Sequence, residues 1–240
     1  MRVAAGFTLA ELLVTVTLAG VVITGMSHLL AGSWKMFRHQ AGMTYHQEAA
    51  DLFFSVIEQN LAAARATDIF PINWVSTRSG FGSTRLALTY AASALMDRDC
   101  LGNKHPGIIT NVFYVRPAAD SPFQSDDLIC AANNTKDTLT QHIAYMQVRY
   151  GLDQGRFDQG NFVSQPDGYI DYWTTDVHEA QLYDLISMEV ALITKSPFKN
   201  ALRQSVPADY SVWGNDLDAL GIPKDDGYVR RLHTARFNLF

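Results

Sequence analysis

One carboxylate, that of Glu11, interrupts an apolar stretch that begins at Phe7. A carboxylate inside a membrane is costly unless it is paired, so one interpretation gives Glu11 a role in ion pairing. Two ordinary interpretations compete with it. Thr8 and Glu11 fit the capping-box pattern at the start of a helix, in which the glutamate reaches back to the amide of Thr8. The other places Glu11 at headgroup depth, where water solvates it.

A second group of carboxylates lies in a glycine-containing stretch of the C-terminal half, at Asp153, Asp158, Asp167 and Asp171. Oxygen ligands at short spacing around glycine can hold Ca²⁺. The EF-hand pattern is absent, because no alternating acidic residues precede a glycine with a glutamate beyond it. The spacing therefore favours an exposed acidic turn over a calcium site, and we expect no cofactor.

The motifs of common catalytic sites are absent from the sequence. The chain has no Gly-x-Ser-x-Gly, no phosphate-binding glycine-rich loop that ends in lysine, and no His-Glu-x-x-His. His39 and His46 have a spacing that fits one helix face, and without a third ligand this pattern favours a solvated face over a metal site. We therefore expect that the protein is not an enzyme, although a triad that assembles only in space leaves no sequence motif.

The length, net charge and cysteine count of the chain exclude several classes of protein. The chain has 240 residues, enough for one domain with an attached element. Its 24 acidic and 19 basic residues give a net charge of −5, so bulk binding to nucleic acid is disfavoured. Two cysteines exclude a disulfide-framework miniprotein and a zinc site built from cysteines alone.

The element that must carry Glu11 is a long apolar run. Residues 12–34 contain no Lys, Arg, Asp or Glu, and about 20 such residues span a bilayer as a helix. The run is too long for the apolar region of a cleaved secretory signal, and the small residues at 4–6 precede it instead of following it. The sequence therefore predicts a single-pass membrane protein. A plain signal anchor remains open, and the flanking charges do not settle the orientation.

The segment from Gly6 to Val14 resembles the class III signal of type IV pilins and pseudopilins. The resemblance implies that a prepilin peptidase cuts after Gly6 and methylates the new amino terminus at Phe7. It places Glu11 at the fifth position of the mature chain. Here the leader, residues 1–6, is short and carries only Arg2 as a charged side chain.

Cleavage after Gly6 would create a positively charged amine at Phe7, which could be the ion-pair partner of Glu11. The new amine at Phe7 of one subunit can neutralise Glu11 of the adjacent subunit in a bundle of such helices. Pairing removes most of the cost of burying either charge, and it fixes the axial stagger between subunits.

Landmarks after Pro71 resemble PilW-type minor pilins. They are Asp99-Cys-Leu-Gly102, Leu128-Ile-Cys130, Val148-Arg-Tyr-Gly151 with Asp153, and Gly227-Tyr-Val-Arg-Arg231. This resemblance implies a low-abundance subunit at or near the tip of a type IV pilus, which primes assembly. Its implied partners are other minor and major pilins, the prepilin peptidase and the inner-membrane assembly platform. The implied location is the bacterial inner membrane, with the C-terminal domain in the periplasm, and then the fibre.

Two alternatives to the minor pilin remain. The first is a minor pseudopilin of a type II secretion system, which carries the same N-terminal signal. The second is a signal-anchored periplasmic enzyme or binding protein. An amino terminus at N-methyl-Phe7 separates both pilin-like readings from the second alternative.

The helix is predicted to continue beyond the membrane. Residues 7–34 form the membrane half, and residues 35–66 follow with the spacing of an amphipathic helix, in which Phe53 and Ile57 lie on the apolar face. Residues 67–240 form a periplasmic α+β domain, in which an antiparallel β-sheet packs on the helix. Strands are expected at 85–90, 108–115, 126–130, 143–150, 185–193 and 228–239. Residues 185–193 show the alternation of a half-buried strand.

Cys100 and Cys130 are too far apart in sequence for a Cys-x-x-Cys redox motif. In an oxidising periplasm they are expected to form a disulfide, which stabilises a loop of this size by roughly 3–4 kcal/mol. Two free buried thiols are the alternative.

Overall fold

The structure is a computed structural model of the full chain. It describes residues 8–64, 84–92, 97–120, 125–153, 156–158, 161–164, 168–175, 184–199, 211–216, 220, 222 and 228–239. The chain divides into two compact units, residues 1–44 and 45–240. The predicted boundaries at 6, 34 and 66 remain predictions.

One long helix and a series of antiparallel strands make up the described chain, as predicted. The helix, α1, runs from Leu9 to Ala64. The strands are β1 Leu86–Ala91, β2 Ile108–Arg116, β3 Asp127–Ala132, β4 Thr135–Gln141, β5 Ile143–Asp153, β6 Arg156–Asp158, β7 Asn161–Ser164, β8 Tyr172–Thr174, β9 Asp184–Lys199, β10 Ser211–Val212, β11 Asn215–Asp216 and β12 Tyr228–Asn238. The α+β fold class is therefore confirmed.

Two four-stranded antiparallel sheets dominate the second unit. The first has the order β1-β2-β3-β4 and the second the order β12-β9-β5-β8. Backbone hydrogen bonds connect them, from Thr84 N–H to the Met146 carbonyl and from Ile143 N–H to the Asp126 carbonyl, both at 2.9 Å. The strands β6 and β7, and β10 and β11, form two small hairpins.

The main core joins the second half of α1 to both sheets. Phe53 and Ile57 are fully buried, and they belong to one apolar cluster with side chains from β1, β2, β3, β5 and β9. The Phe53 ring packs edge-on against Phe113 of β2, with 5.9 Å between the ring centroids. On the opposite side of the helix Glu48, Asp51 and other polar residues are exposed. The amphipathic spacing thus identified the buried face correctly.

A buried polar network also ties α1 to the first sheet. The Asn111 amide donates to Asn60 Oδ1 on the helix. It also donates to the Tyr90 hydroxyl at 3.3 Å, and that hydroxyl donates to the Arg98 carbonyl at 2.6 Å. The Cys100 N–H donates to Asn111 Oδ1 at 3.2 Å. A buried network with its members partnered specifies one arrangement of the elements it connects.

The prediction that β9 is half-buried is wrong for its central part. Met188, Val190 and Leu192 face the main core as expected, but Ala191 and Ile193 are also fully buried. They form a second apolar cluster on the other face of the sheet. The remaining buried members of this cluster come from β5 and from residues 211–222, and they are Ala144, Tyr145, Val212, Leu220 and Ile222. Val212, Leu220 and Ile222 cover part of the outer face of β9, which removes the alternation of buried and exposed residues there.

Candidate assembly site

The first unit exposes a continuous apolar helix surface. Of the residues that the structure describes, only α1 is long and apolar enough to cross a membrane, and no residue of its most apolar 18-residue window is buried. The exposed large apolar side chains of the unit are Leu9, Leu12, Leu13, Val14, Val16, Leu18, Val21, Val22, Ile23, Met26, Leu29, Leu30, Trp34, Met36, Phe37 and Met43. A surface of this kind marks contact with lipid or with another protein.

Four hydroxyl groups in this run, those of Thr15, Thr17, Thr24 and Ser27, have acceptors within the helix. Thr15 donates to the Leu12 carbonyl and Thr24 to the Gly20 carbonyl, each at 2.8 Å. Ser27 donates to the Ile23 carbonyl at the same distance. A hydroxyl that bonds to the preceding turn brings no unpaired donor into an apolar medium. The segment is therefore suited to an environment without water despite its polar residues.

Glu11 forms the capping box that its spacing with Thr8 permits. Thr8 donates to Glu11 Oε2 from its backbone N–H and from its hydroxyl, both at 3.0 Å. In return the Glu11 N–H donates to Thr8 Oγ1 at 3.3 Å. The second carboxylate oxygen, Oε1, has no partner among the described residues. One oxygen therefore caps the helix, and the other makes no hydrogen bond to the described part of the chain.

The other two residues of the N-terminal signal, Gly6 and Phe7, lie outside the described residues. Their assignment as the cleavage point and the methylated terminus remains a prediction. The described chain begins at Thr8, immediately after them, and enters the helix at Leu9.

Cys100 and Cys130 are joined by a disulfide, with 6.4 Å between their Cα atoms. Asp99, whose side chain is fully buried, holds the loop beside it. The carboxylate accepts the backbone N–H groups of Leu101 and Asn103 at 2.9 Å and lies 2.8 Å from His105 Nε2. Burial raises the pKa of Asp99, but hydrogen bonds from Asn103, His105 and Leu101 outweigh it and leave the pKa below its ordinary value. The carboxylate thus stays charged and keeps the loop closed.

The acidic group of the C-terminal half is only partly described. Asp153 is buried, contrary to the predicted exposed turn, and its Oδ2 accepts the Gly168 N–H at 2.6 Å. Asp171 is exposed. The side chain of Asp158 and the whole of Asp167 lie outside the described residues. Within the described ranges no three His, Cys, Asp or Glu side chains are placed to hold a metal. The calcium site, which the sequence favours less than an acidic turn, remains untested.

The expectation of a solvated histidine face is wrong at His46. Its side chain is buried in the second unit, and its Nδ1 forms a hydrogen bond of 2.6 Å with Thr194 Oγ1 of β9. Thr194 Oγ1 also lies 3.2 Å from His233 Nε2 on β12. His46 Nε2 has no hydrogen-bond partner within the described part of the chain. Burial lowers the pKa of His46 to about 4, and the nearby His233, Arg231 and His142 act in the same direction.

A stacked arginine on the outer face of the second sheet was also missed by the sequence analysis. Arg149 makes two hydrogen bonds to Glu189 Oε2, at 2.9 and 2.6 Å. Its guanidinium lies 4.7 Å from the ring centroid of Trp173 and 4.6 Å from that of Trp213. Arg236 lies over Trp173 at 4.9 Å. The alternation of β5 places Arg149 opposite the core face, but nothing in the sequence pairs it with tryptophans so distant along the chain.

Comparisons with known proteins give a likeness only among solved structures, where four chains match. No family model matches the chain, and no curated protein matches it. Among solved structures, a type IV-like pilin from Thermus thermophilus superposes with a TM-score of 0.44 and 12% identity, over 80% of this chain and 95% of that one. With this TM-score and sequence identity, the likeness establishes neither the family nor the function of this chain.

The buried His46 predicts a pH dependence of stability. Its pKa is about 4 in the folded chain, against about 6.5 when unfolded. Between these values the unfolded chain binds more protons, so stability present above about pH 6.5 is lost as the pH falls toward 4. We expect the free energy of unfolding of the second unit to fall by about 2 kcal/mol between about pH 7 and pH 4. Denaturant unfolding of the full chain in detergent, followed by tryptophan fluorescence, measures this.

A His46→Asn variant keeps a polar atom near Thr194 and removes the titrating ring. It should lose much of the pH slope, with His142 and His233 supplying the remainder because burial lowers the pKa of each. His39→Asn, which changes an exposed ring on the same helix, is the matched control and should leave the slope unchanged. Equal slopes for the His46→Asn variant and the parent chain would contradict the assignment.

Proposed function

We propose that the chain is a minor pilin subunit of a type IV pilus, sited at or near the tip, where it primes assembly. The observation that carries the proposal is the helix surface over residues 12–34, which has no Lys, Arg, Asp or Glu and is exposed throughout. It is preceded by Glu11, whose Oε1 has no partner among the residues that the structure describes. Lipid is suited to cover this surface before assembly. Helices of neighbouring subunits are suited to replace lipid in the fibre, since packing and ion pairing both operate without water.

The ion pair gives the proposal its specificity. Removal of residues 1–6 creates an amine at Phe7, and Glu11 of an adjacent subunit offers Oε1 to it while Oε2 continues to cap its own helix. A buried charge with one partner missing is strongly unfavourable, so only helices that place amine and carboxylate together assemble well. The pairing therefore selects the stagger between subunits as well as stabilising it.

The proposed route begins in the inner membrane, with a single span and the second unit in the periplasm. The prepilin peptidase and the assembly platform are the partners at this stage, and minor and major pilins are the partners in the fibre. The disulfide between Cys100 and Cys130 is consistent with this compartment, because disulfides persist where the environment is oxidising. We propose no catalytic role and no resident cofactor.

Mass spectrometry of the native amino terminus tests the proposal. We expect a chain that begins at N-methyl-Phe7 and that is found in the sheared fibre fraction as well as the membrane. A Gly6→Val variant should retain residues 1–6 and be absent from fibres, whereas the adjacent Ala5→Val variant is the control and should be processed normally. Recovery of the native chain only in membranes, still beginning at Met1, would overturn the proposal. Co-isolation with secretion pseudopilins in place of pilins would assign it to a secretion system.

A further inference from the structure

The apolar run of α1 ends in a short segment that carries both aromatic and basic side chains. Trp34, Lys35, Phe37 and Arg38 make up this segment, which we call the collar, and all four side chains are exposed. Residues 12–34 contain no Lys, Arg, Asp or Glu and measure about 35 Å as a helix. A hydrocarbon core is about 30 Å thick, so a helix that enters it near Glu11 leaves it near the collar.

The aromatic part of the collar is suited to the boundary between hydrocarbon and headgroups. Trp34 and Phe37 are about one helical turn apart, and their rings pack edge to face with 6.3 Å between the centroids. Tryptophan is enriched at this boundary, because its ring is apolar while its N–H can form a hydrogen bond. The ring pair therefore indicates the depth at which the helix leaves the hydrocarbon.

The two cations of the collar, Lys35 and Arg38, have the same spacing and lie on one face of the helix. Neither takes part in an ion pair, a hydrogen bond or a ring contact within the described part of the chain. Between Glu11 and Glu48 the sequence has no acidic residue, so no carboxylate of α1 lies within two turns of either cation. Long basic side chains at the end of a span extend toward the headgroups while their methylene stems stay on apolar surface.

The position of these cations selects what they bind. Phospholipid headgroups lie at this depth wherever the helix spans a membrane, and anionic headgroups attract basic residues that lie next to a span. The net charge of −5 gives the chain as a whole no attraction to an anionic surface. Any preference of this chain for anionic lipid must therefore come from a local basic group such as the collar.

We propose that the collar binds anionic phospholipids in the leaflet nearer the second unit, with the headgroup phosphates held by Lys35 and Arg38. The guanidinium of Arg38 can donate to two phosphate oxygens, and the ammonium of Lys35 acts as a point charge. Trp34 and Phe37 keep the helix at the depth that brings the cations to the phosphates. The proposal rests on the membrane insertion that the proposed function includes, and it holds whether or not the chain enters a pilus.

Spin-labelled lipids measure this preference on the full chain reconstituted in phosphatidylcholine vesicles. The probes are spin-labelled phosphatidylglycerol and spin-labelled phosphatidylcholine, and electron paramagnetic resonance gives the fraction of each that is immobilised at the protein. A basic residue near an anionic headgroup is worth about fivefold in binding, so we expect at least about a fivefold preference for phosphatidylglycerol. A Lys35→Gln/Arg38→Gln double variant should bind the two lipids equally, and 1 M salt should weaken the preference of the parent chain.

A Lys104→Gln/Lys136→Gln double variant is the matched control, because it removes two exposed cations from the second unit. It should keep the preference of the parent chain, and equal losses in the two double variants would overturn the proposal. An inserted parent chain without any preference would also overturn it and leave an acidic protein segment as the partner of these cations.

Carbonate extraction of the vesicles separates failure of this proposal from failure of the proposed function. A parent chain that carbonate removes is not inserted, which contradicts the membrane step of the proposed function as well as the collar. A chain that resists extraction and lacks the preference contradicts the collar alone. Insertion of the Lys35→Gln/Arg38→Gln variant, measured in the same way, ensures that its lost preference reflects the cations and not its absence from the bilayer.

Discussion

A Glu11→Gln variant is expected to insert into the membrane normally and to be depleted about a hundredfold from assembled fibres. Glutamine retains the capping box, because its side-chain oxygen can accept the bonds that Thr8 now donates to Oε2. It has no charge to neutralise the amine of a neighbouring subunit. An unpaired charge in the apolar interior costs about 3 kcal/mol, which corresponds to about a hundredfold in an equilibrium. Immunoblots of sheared fibres and membranes give the ratio directly.

Thr8→Ala is the matched control, because it removes the cap and keeps the charge. An N-cap is worth about 1 kcal/mol, so this variant should show only a mild loss of incorporation. The two variants thus separate the capping role that the structure shows from the pairing role that we propose. If Thr8→Ala is lost from fibres and Glu11→Gln is not, Glu11 acts only as a cap.

A Phe53→Ala variant is expected to lose about 3–5 kcal/mol of stability in the second unit. The ring is fully buried between the helix and the two sheets and packs against Phe113. Truncation removes an apolar ring and leaves a cavity that the rigid sheets on either side can only partly close. Denaturant unfolding of the full chain in detergent measures the loss, and tryptophan fluorescence or near-UV dichroism reports it.

Leu52→Ala provides the control for Phe53→Ala. Leu52 is the preceding residue on the same helix and is 48% exposed. Its truncation should cost less than about 1 kcal/mol, because an exposed side chain leaves no cavity. A similar loss for the two variants would mean that the effect comes from helix propensity and not from the packing between helix and sheets.

The parts of the fold with a strong local period were predictable. The helix follows from an apolar run without charges that continues as a three- and four-residue spacing, and Phe53 and Ile57 fell on the buried face. The six strands predicted from apolar, β-branched or alternating residues are confirmed within a few residues. The largest difference is in β9, which ends at Lys199 and not at the predicted residue 193. In each of these elements, the local pattern of apolar and polar residues indicates both the type of element and its buried face.

The sequence did not predict β4, because this edge strand of the first sheet consists mainly of polar residues. Its sequence, Thr135–Gln141, has no apolar alternation. A signal was present in the turn before it, since Asn133 and Asn134 both have positive φ, of 43° and 75°. Two such residues between strands are typical of a type I′ hairpin. The two asparagines of the turn, and not the residues of β4 itself, were therefore the sequence signal for this hairpin.

Other features depend on contacts between distant parts of the chain. His46 is buried, and its hydrogen-bond partner Thr194 lies 148 positions further along the chain. Ala191 and Ile193 are buried because Val212, Leu220 and Ile222, from further along the chain, pack against them. Asp153 is buried while Asp171 is exposed, although the two lie in the same acidic stretch. No local pattern carries this information, because it exists only after the elements have packed.

The amide pair of Asn60 and Asn111 has a mechanical consequence. For α1 to slide along the sheets, this buried pair must break, and Asn60 Oδ1 would then lose the donor that Asn111 provides. A pulling force on the helix is consequently passed into β2, and through the Cys100 N–H that Asn111 holds into the disulfide-linked loop. Displacement of the helix is therefore opposed by this polar network, which reaches the loop beside the disulfide, in addition to the apolar core.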